Sequence, residues 1–169
     1  MSKIFDWNKI YRSQEENGWC GPAVIQMIFL AVGIDKSQKD IAGEVFFPWW
    51  GTHRQVLVAY LSRFFTNMGF LDNADLLDVS KLILSGKIVL VNWWDDLDGK
   101  DDEEGHYCLA VAMDDKEGTL TLVDPSEGRG VWKIKQDEFE KRWYDFYDVR
   151  NIMKAPKWLM WVDPSSLVQ

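Results

Sequence analysis

Two residues near the start of the chain have the types and the spacing of a thiol site. Gln14 precedes Cys20 by six positions, and Cys20 is followed by Gly21, Pro22 and Ala23. Because proline fits the first turn of a helix, Pro22 predicts that Cys20 lies at a helix N-terminus. The unpaired N–H groups and the dipole there favour the thiolate, the reactive form of cysteine. The pattern therefore predicts a nucleophile at Cys20, with its backbone N–H and the amide of Gln14 as oxyanion donors.

A histidine and an aspartate in the second half of the chain can complete this chemistry. The turn residues at 114–118 join two runs of strand-forming residues and predict a β-hairpin. His106 lies where the first strand begins, and Asp124 lies where the second ends. Since these two ends are adjacent in an antiparallel hairpin, we expect the two side chains to meet. His106 is then a candidate base for the thiol proton, and Asp124 the acid that orients it.

Each of these four residues also has an ordinary structural explanation when it is taken alone. A single cysteine is usually a small buried hydrophobic residue, and a strand-end histidine is usually hydrogen-bonded within the core. An Asp-Pro pair is usually a turn. The order Gln, Cys, His, Asp, with the last two across one hairpin, arises by chance much less often than any one of them.

The elements that must position these residues divide the chain into two halves. An apolar run follows Cys20 and predicts a buried helix that ends at Gly33. Residues 52–67 predict another helix, which begins with a capping box at Thr52 and ends at Gly69. Shorter helices are expected at 37–46, 79–84 and 137–144, and strands at 88–94, 107–113, 119–123, 130–135 and 157–162. Helices followed by antiparallel strands predict an α+β fold in one domain over residues 1–169, with the buried helix of Cys20 packed on a C-terminal sheet.

Composition excludes several classes of function. The chain has 169 residues and a net charge of −8, which argues against nucleic-acid binding. The sequence predicts neither a signal peptide nor a membrane span. Its two cysteines fit a reducing compartment, so we expect a cytoplasmic protein. No zinc-type ligand cluster is present, and the sequence predicts no metal and no cofactor.

Three sequence blocks together resemble one known family. Gln14-x5-Cys20-Gly21-Pro22-Ala23, Gly105-His106-Tyr107 and Asp124-Pro125 are similar to those of the bacteriocin-processing, double-glycine-leader peptidases, which have a papain-like fold. The resemblance covers residues 14 to about 143. It implies that Cys20 is the nucleophile, His106 the base, Asp124 the orienting acid and Gln14 the oxyanion donor.

The resemblance also implies a substrate and a kind of family member. The substrate is expected to be an extended peptide or protein with small residues just before the scissile bond. The best-known members are fused to a membrane span and an ATP-driven exporter, whereas this chain resembles the stand-alone members. The sequence thus predicts a cysteine peptidase. Its alternatives are an isopeptidase, amidase or acyl transferase that uses the same thiol, or a catalytically silent papain-like module that binds peptides.

Two further features are open to more than one interpretation. Cys108 lies two residues after His106, so both side chains point to the same face of a regular strand. It is either a redox partner for Cys20 or, as we expect, a small buried thiol. The acidic residues 95–104 only faintly resemble a calcium loop, and their spacing favours a solvated charged loop that can cover the site.

Overall fold

A computed structural model describes residues 5–97, 104–147 and 153–168 of the protein. The described elements are, in chain order, α1 (Trp7–Ile10), α2 (Cys20–Val32), α3 (Gln38–Val45), β1 (Phe46–Phe47), β2 (Gly51–Thr52), α4 (Arg54–Leu61), β3 (Met68–Leu71), α5 (Leu76–Leu84), β4 (Ile88–Asp95), β5 (Glu104–Asp114), β6 (Thr119–Asp124), β7 (Gly130–Lys135), α6 (Gln136–Arg142), β8 (Tyr144–Phe146), β9 (Lys154–Pro156) and β10 (Trp158–Val162).

The helix that begins at Cys20 is the centre of the fold. Its residues from Cys20 to Phe29 are buried, because the run is apolar on every side. The helix ends at Gly33, which adopts φ 87°, and the Gly33 N–H bonds to the carbonyls of Phe29 and Leu30. A left-handed residue of this kind favours glycine and satisfies carbonyls that the last turn leaves free. The sequence prediction for this helix is confirmed.

Antiparallel strands form the second layer of the fold. The main sheet has the strand order β3-β10-β4-β5-β6-β7, with all neighbouring pairs antiparallel. One face packs on α2 through side chains such as Leu90 and Leu109. The other face packs on α5 and α6 through side chains such as Val91 and Phe139. Because both faces are covered, β4 is buried along nearly its whole length. The fold is α+β, as the sequence predicts.

The predicted helix over residues 52–67 is wrong in its first and last residues. Thr52 belongs to β2 and Arg54–Leu61 forms α4, whose N-cap, His53, makes no side-chain capping bond. The predicted capping box is therefore absent from this helix. Gly69 lies in β3 opposite Trp161, and a Cβ atom at Gly69 would lie 3.0 Å from the indole ring. The glycine thus allows a close cross-strand contact with β10, which is far away in the sequence, and does not end a helix.

Other differences are smaller and mostly local. Helix α5 begins at Leu76 rather than at residue 79, because Asp75 and Asp78 form a capping box through each other's backbone N–H groups. The sequence did not predict the short elements α1, β1, β2, β3, β8 and β9. The expectation of a solvated loop at residues 95–104 falls largely on residues 98–103, which lie outside the described residues.

Candidate active site

Cys20 lies at the first residue of α2 and faces a cleft of about 640 Å³. Its side chain is 6% exposed. The next residue must be glycine, since a Cβ atom at Gly21 would lie 2.4 Å from Thr52 Oγ1. The missing side chain lets the first turn of α2 lie directly against β2. The Cys-Gly pair thus sets the thiol at the edge of the cleft while the rest of the helix stays buried.

His106 and Asp124 meet across neighbouring strands. His106 is the third residue of β5, and Asp124 is the last residue of β6. The imidazole Nε2 lies 2.8 Å from Asp124 Oδ1, and the two residues are only 4% and 0% exposed. The hairpin geometry thus brings the predicted base and acid into hydrogen-bond contact.

The carboxylate of Asp124 is held by three hydrogen bonds. Besides His106, it accepts the backbone N–H of Ser126 at 2.9 Å on Oδ1 and Arg129 Nη1 at 3.1 Å on Oδ2. Burial by itself raises the pKa of this carboxyl group, but His106, Ser126 and Arg129 outweigh it and hold the pKa far below its ordinary range. Asp124 is therefore ionised near neutral pH.

The charge on Asp124 acts on His106. Burial by itself lowers the pKa of the imidazole, but its side-chain hydrogen bonds, to Asp124, Cys108 and Cys20, hold that pKa well above its ordinary value. Burial raises the pKa of Cys108 to about 12, so this thiol is neutral near pH 7. Asp124 is therefore the negative charge that favours the imidazolium there. Cys20 is near enough for a side-chain hydrogen bond to the same ring.

Cys108 lies in the core on the far face of the sheet from α2. It is fully buried and its sulfur accepts Trp93 Nε1 at 3.3 Å. Cys20 and Cys108 are both free thiols and belong to separate core clusters on the two faces of the sheet. The full burial of Cys108 fits the expectation of a small buried thiol, and both cysteines lie within hydrogen-bond reach of the His106 ring.

Gln14 lies beside the loop that follows Asp124. Its backbone N–H donates to the carbonyl of Pro125 at 2.8 Å. Its side-chain Nε2 donates to the carbonyl of Glu16 at 3.2 Å, which is a local contact and not one with Cys20. An amide nitrogen carries two hydrogens, so this contact uses one of them. The structure thus places Gln14 near the His106–Asp124 pair but does not join its side chain to Cys20.

A glutamine that the sequence did not single out holds the Gln14 segment from the other side. Gln38 in α3 is 1% exposed. Its Nε2 donates to the Ser13 carbonyl at 2.8 Å, and its Oε1 accepts the Glu15 N–H at 3.0 Å. The same Nε2 lies 3.1 Å from Gln26 Oε1. No local signal could have found this role, since glutamine in a short helix usually indicates an exposed position.

The cleft beside Cys20 has an aromatic rim. Trp49 and Trp50, between β1 and β2, form one wall and are 87% and 54% exposed. Gly105 also lines the cleft, and a Cβ atom there would lie 2.4 Å from the carboxylate oxygens of Asp145. Burial raises the pKa of Asp145, and Arg54 Nη2 lies 4.0 Å from its Oδ2. Glycine before His106 thus makes room for a polar side chain that narrows the cleft.

Metal binding does not explain the buried polar groups. Among the described residues, ligand-type atoms of His106, Cys108 and Asp124 lie within 4.8 Å of one another. His106 and Asp124 are already bonded to each other, and the sulfur of Cys108 accepts the indole N–H of Trp93. Each of the three side chains thus already has a hydrogen-bond partner within the protein. In the part of the chain that the structure describes, no helix has the length and apolar character needed to cross a bilayer.

This fold, with a helix-tip cysteine beside a buried histidine–aspartate pair, is that of the papain-like cysteine peptidases. The model of the Peptidase_C39 like family matches residues 8–150. The chain belongs to this family, as the resemblance implied, and family and fold indicate a cysteine peptidase. No curated protein matches the sequence.

Solved structures share this fold at low sequence identity. The peptidase domain of Streptococcus ComA, an ABC transporter, has a TM-score of 0.64 and 15% identity, with 89% of this chain and 96% of that chain covered. A protein described as a C39-like peptidase from Bacillus anthracis has a TM-score of 0.63 and 14% identity, with 90% and 94% covered. A double glycine motif protease from an AMS/PCAT transporter, in complex with the leader peptide, has a TM-score of 0.61 and 12% identity, with 95% and 92% covered.

Proposed function

We propose that the protein hydrolyses peptide bonds with Cys20 as the nucleophile, His106 as the base, Asp124 as the orienting acid and Gln14 as an oxyanion donor. The observation that carries the proposal is the 2.8 Å hydrogen bond between His106 and an ionised Asp124, next to a thiol at a helix N-terminus on the cleft. This arrangement has the nucleophile, base and orienting group of thiol acyl chemistry.

The proposed reaction proceeds through a thioester. Since Asp124 and Ser126 engage Nε2 of His106, the other ring nitrogen is left to take the thiol proton of Cys20. The thiolate attacks the peptide carbonyl, and the new oxyanion accepts hydrogen bonds from the Cys20 N–H and the Gln14 amide. Collapse breaks the C–N bond, and the imidazolium protonates the departing amine. Water then attacks the thioester with His106 as base, which releases the acid and restores the thiol.

We propose an extended peptide or protein as the substrate, with small residues just before the scissile bond. Asp145 supports this, because it fills the space above Gly105 and narrows the cleft near His106. A structural neighbour of this chain is described as a double glycine motif protease. Two free thiols support a reducing compartment, which we propose to be the cytoplasm.

Cleavage of a peptide library by the purified protein tests this proposal. We expect wild type to cleave, Cys20→Ala to lose all turnover and Cys108→Ser to keep it, because only Cys20 reaches the cleft. Sites with small residues in the two positions before the cut should dominate the products. Circular dichroism of each variant checks that the fold is intact.

The product masses separate hydrolysis from the other chemistries of the same site. Free carboxyl products identify a hydrolase, whereas products joined to an added amine identify an acyl transferase. Turnover by Cys20→Ala overturns the nucleophile assignment. Bulky residues before the cut exclude the proposed specificity, and binding without any cleavage would favour a silent peptide-binding module.

A further inference from the structure

A cluster of three charged residues lies directly behind the His106–Asp124 pair. The guanidinium of Arg129 lies between two carboxylates. Its Nη1 lies 3.1 Å from Asp124 Oδ2, and its Nη1 and Nη2 lie 2.5 and 3.2 Å from the two oxygens of Asp95. The side chains of Arg129 and Asp95 are 15% and 14% exposed, so water screens these charges only partly.

The fold places this cluster at one edge of the sheet, where β4 and β6 end and β7 begins. Asp95 is the last residue of β4, and β4 pairs with β5 so that Trp93 lies opposite His106. Arg129 lies in the turn between β6 and β7, between Gly128 at φ 81° and Gly130 at φ 66°. Because such φ values favour glycine, these two residues fix a tight turn that directs the backbone at Arg129. The guanidinium also lies 5.6 Å from the ring centroid of Trp132.

We propose that Arg129 is a positioning residue of this site, which holds Asp124 against His106 and, together with Asp95, sets the pH range of the Cys20–His106 pair. The proposal rests on the proposed function, because it assigns Cys20 and His106 as the reacting pair. It adds two residues that do not line the cleft and do not belong to the four predicted from the sequence.

The two charges of the cluster act on the reacting pair in opposite directions. The positive charge of Arg129 stabilises a thiolate and disfavours an imidazolium, whereas the negative charge of Asp95 does the reverse. Burial disfavours the charged guanidinium, but Asp95 and Asp124 outweigh it and raise the pKa of Arg129, so this residue stays charged throughout. Among the described residues, Cys108 on β5 and Asp124 on β6 also act on the pKa of His106.

The pH dependence of Cys20 alkylation by iodoacetamide, followed by mass spectrometry, measures this effect without any turnover. The profile has one inflection where the thiolate forms and another where the imidazolium loses its proton. In Arg129→Met, we expect both inflections to move to higher pH by about 0.5 to 1.5 units. In Asp95→Asn, both should move to lower pH, because the Arg129 charge is then less compensated.

Arg129→Lys is the matched control for charge. It keeps the positive charge but not the planar fork, so its inflections should stay within about 0.3 units of wild type. Its kcat should fall, since Asp124 is held less well, while KM changes little. A purely structural role for Arg129 does not predict opposite shifts in Arg129→Met and Asp95→Asn.

The outcomes separate this proposal from the proposed function. Shifts in the same direction in both variants, or unchanged inflections with unchanged kcat, overturn the role of Arg129. If Arg129→Met does not fold, the alkylation profile of Asp95→Asn tests the proposal by itself. Inflections at lower pH than in wild type support the proposal. Unchanged inflections, or inflections at higher pH, overturn it. Opposite shifts in a protein that cleaves no peptide support the role of Arg129 and reject the peptidase function.

Discussion

The two sides of the candidate site are held in place by different forces. On the sheet side, hydrogen bonds and an ion pair to buried charged groups fix His106 and Asp124. On the helix side, apolar burial of α2 and close contact between Gly21 and Thr52 fix Cys20. Polar contacts fix the direction of a ring or a carboxylate, whereas packing fixes the position of a whole helix. Substitutions of the residues that hold His106 should therefore lower the reaction rate. Substitutions of the residues that hold α2 should lower the stability of the protein.

Apart from removal of the Cys20 thiol itself, the largest effect on the rate should come from the sheet side. Asp124→Ala removes the carboxylate that orients His106 and stabilises the imidazolium, so kcat should fall by about 10³-fold with little change in KM. Asp124→Asn should be milder, because the amide oxygen can still accept the imidazole N–H. Steady-state kinetics on a cleaved peptide measure both variants. Equal rates in all three proteins would mean that Asp124-Pro125 is only a turn, and the site would reduce to a Cys20–His106 dyad.

A smaller loss of activity is expected from substitution of Gln14, which belongs to neither side. Its backbone N–H donates a hydrogen bond to the carbonyl of Pro125, the residue that follows Asp124. Gln14→Ala removes one oxyanion donor, so kcat should fall by about 10²-fold while the fold stays intact. Gln55→Ala is the matched control, since Gln55 lines the same cleft but is exposed. An unchanged kcat in Gln14→Ala would show that the hydrogen bond to the Glu16 carbonyl is the only role of this side chain.

The sequence predicted the parts of the fold and site that depend on local pattern. The turn at 114–118 was enough to place His106 beside Asp124, and the apolar run after Cys20 was enough to predict a buried helix. Arg129 and Gln38 were not found, because the contacts of Arg129 with Asp95 and of Gln38 with residues 13 and 15 join parts of the chain that are far apart in sequence and leave no local periodicity. The predicted capping box at Thr52 failed for a different reason: Thr52, in β2, pairs with Phe46 of β1, so a short local strand pairing replaces the start of the helix.

The helix side should respond in stability. A Cβ atom in Gly21→Ala would meet Thr52 Oγ1 at 2.4 Å and its Cβ at 2.5 Å, so α2 or β2 must shift. We expect a loss of about 1 to 3 kcal/mol in the free energy of unfolding. Gly43→Ala is the matched control in α3, where a Cβ atom meets nothing within 4 Å. It should stabilise the protein by about 0.5 to 1 kcal/mol. Urea denaturation measures both, and equal stabilities would reject the close contact as the reason for Gly21.

The smallest effect is expected at Gln38 in α3. Its substitution tests whether the hydrogen bonds of this side chain help to position the Gln14 amide. Gln38 bonds to the backbone of Ser13 and Glu15, the two neighbours of Gln14. Gln38→Met keeps the length of the side chain but removes these bonds, at a cost of about 1 kcal/mol in stability. The looser segment should lower kcat by about 3- to 5-fold, because the Gln14 amide is then less well placed.

A double-mutant cycle shows whether this loss acts through Gln14. If Gln38 only positions that residue, Gln38→Met should change kcat no further in a Gln14→Ala protein, since there is no amide left to misplace. The same fold-loss in both backgrounds would contradict this and make Gln38 a general packing residue of α3. The cycle thus separates a hydrogen bond that supports the fold from one that supports the chemistry, which is the distinction between the two sides of the site.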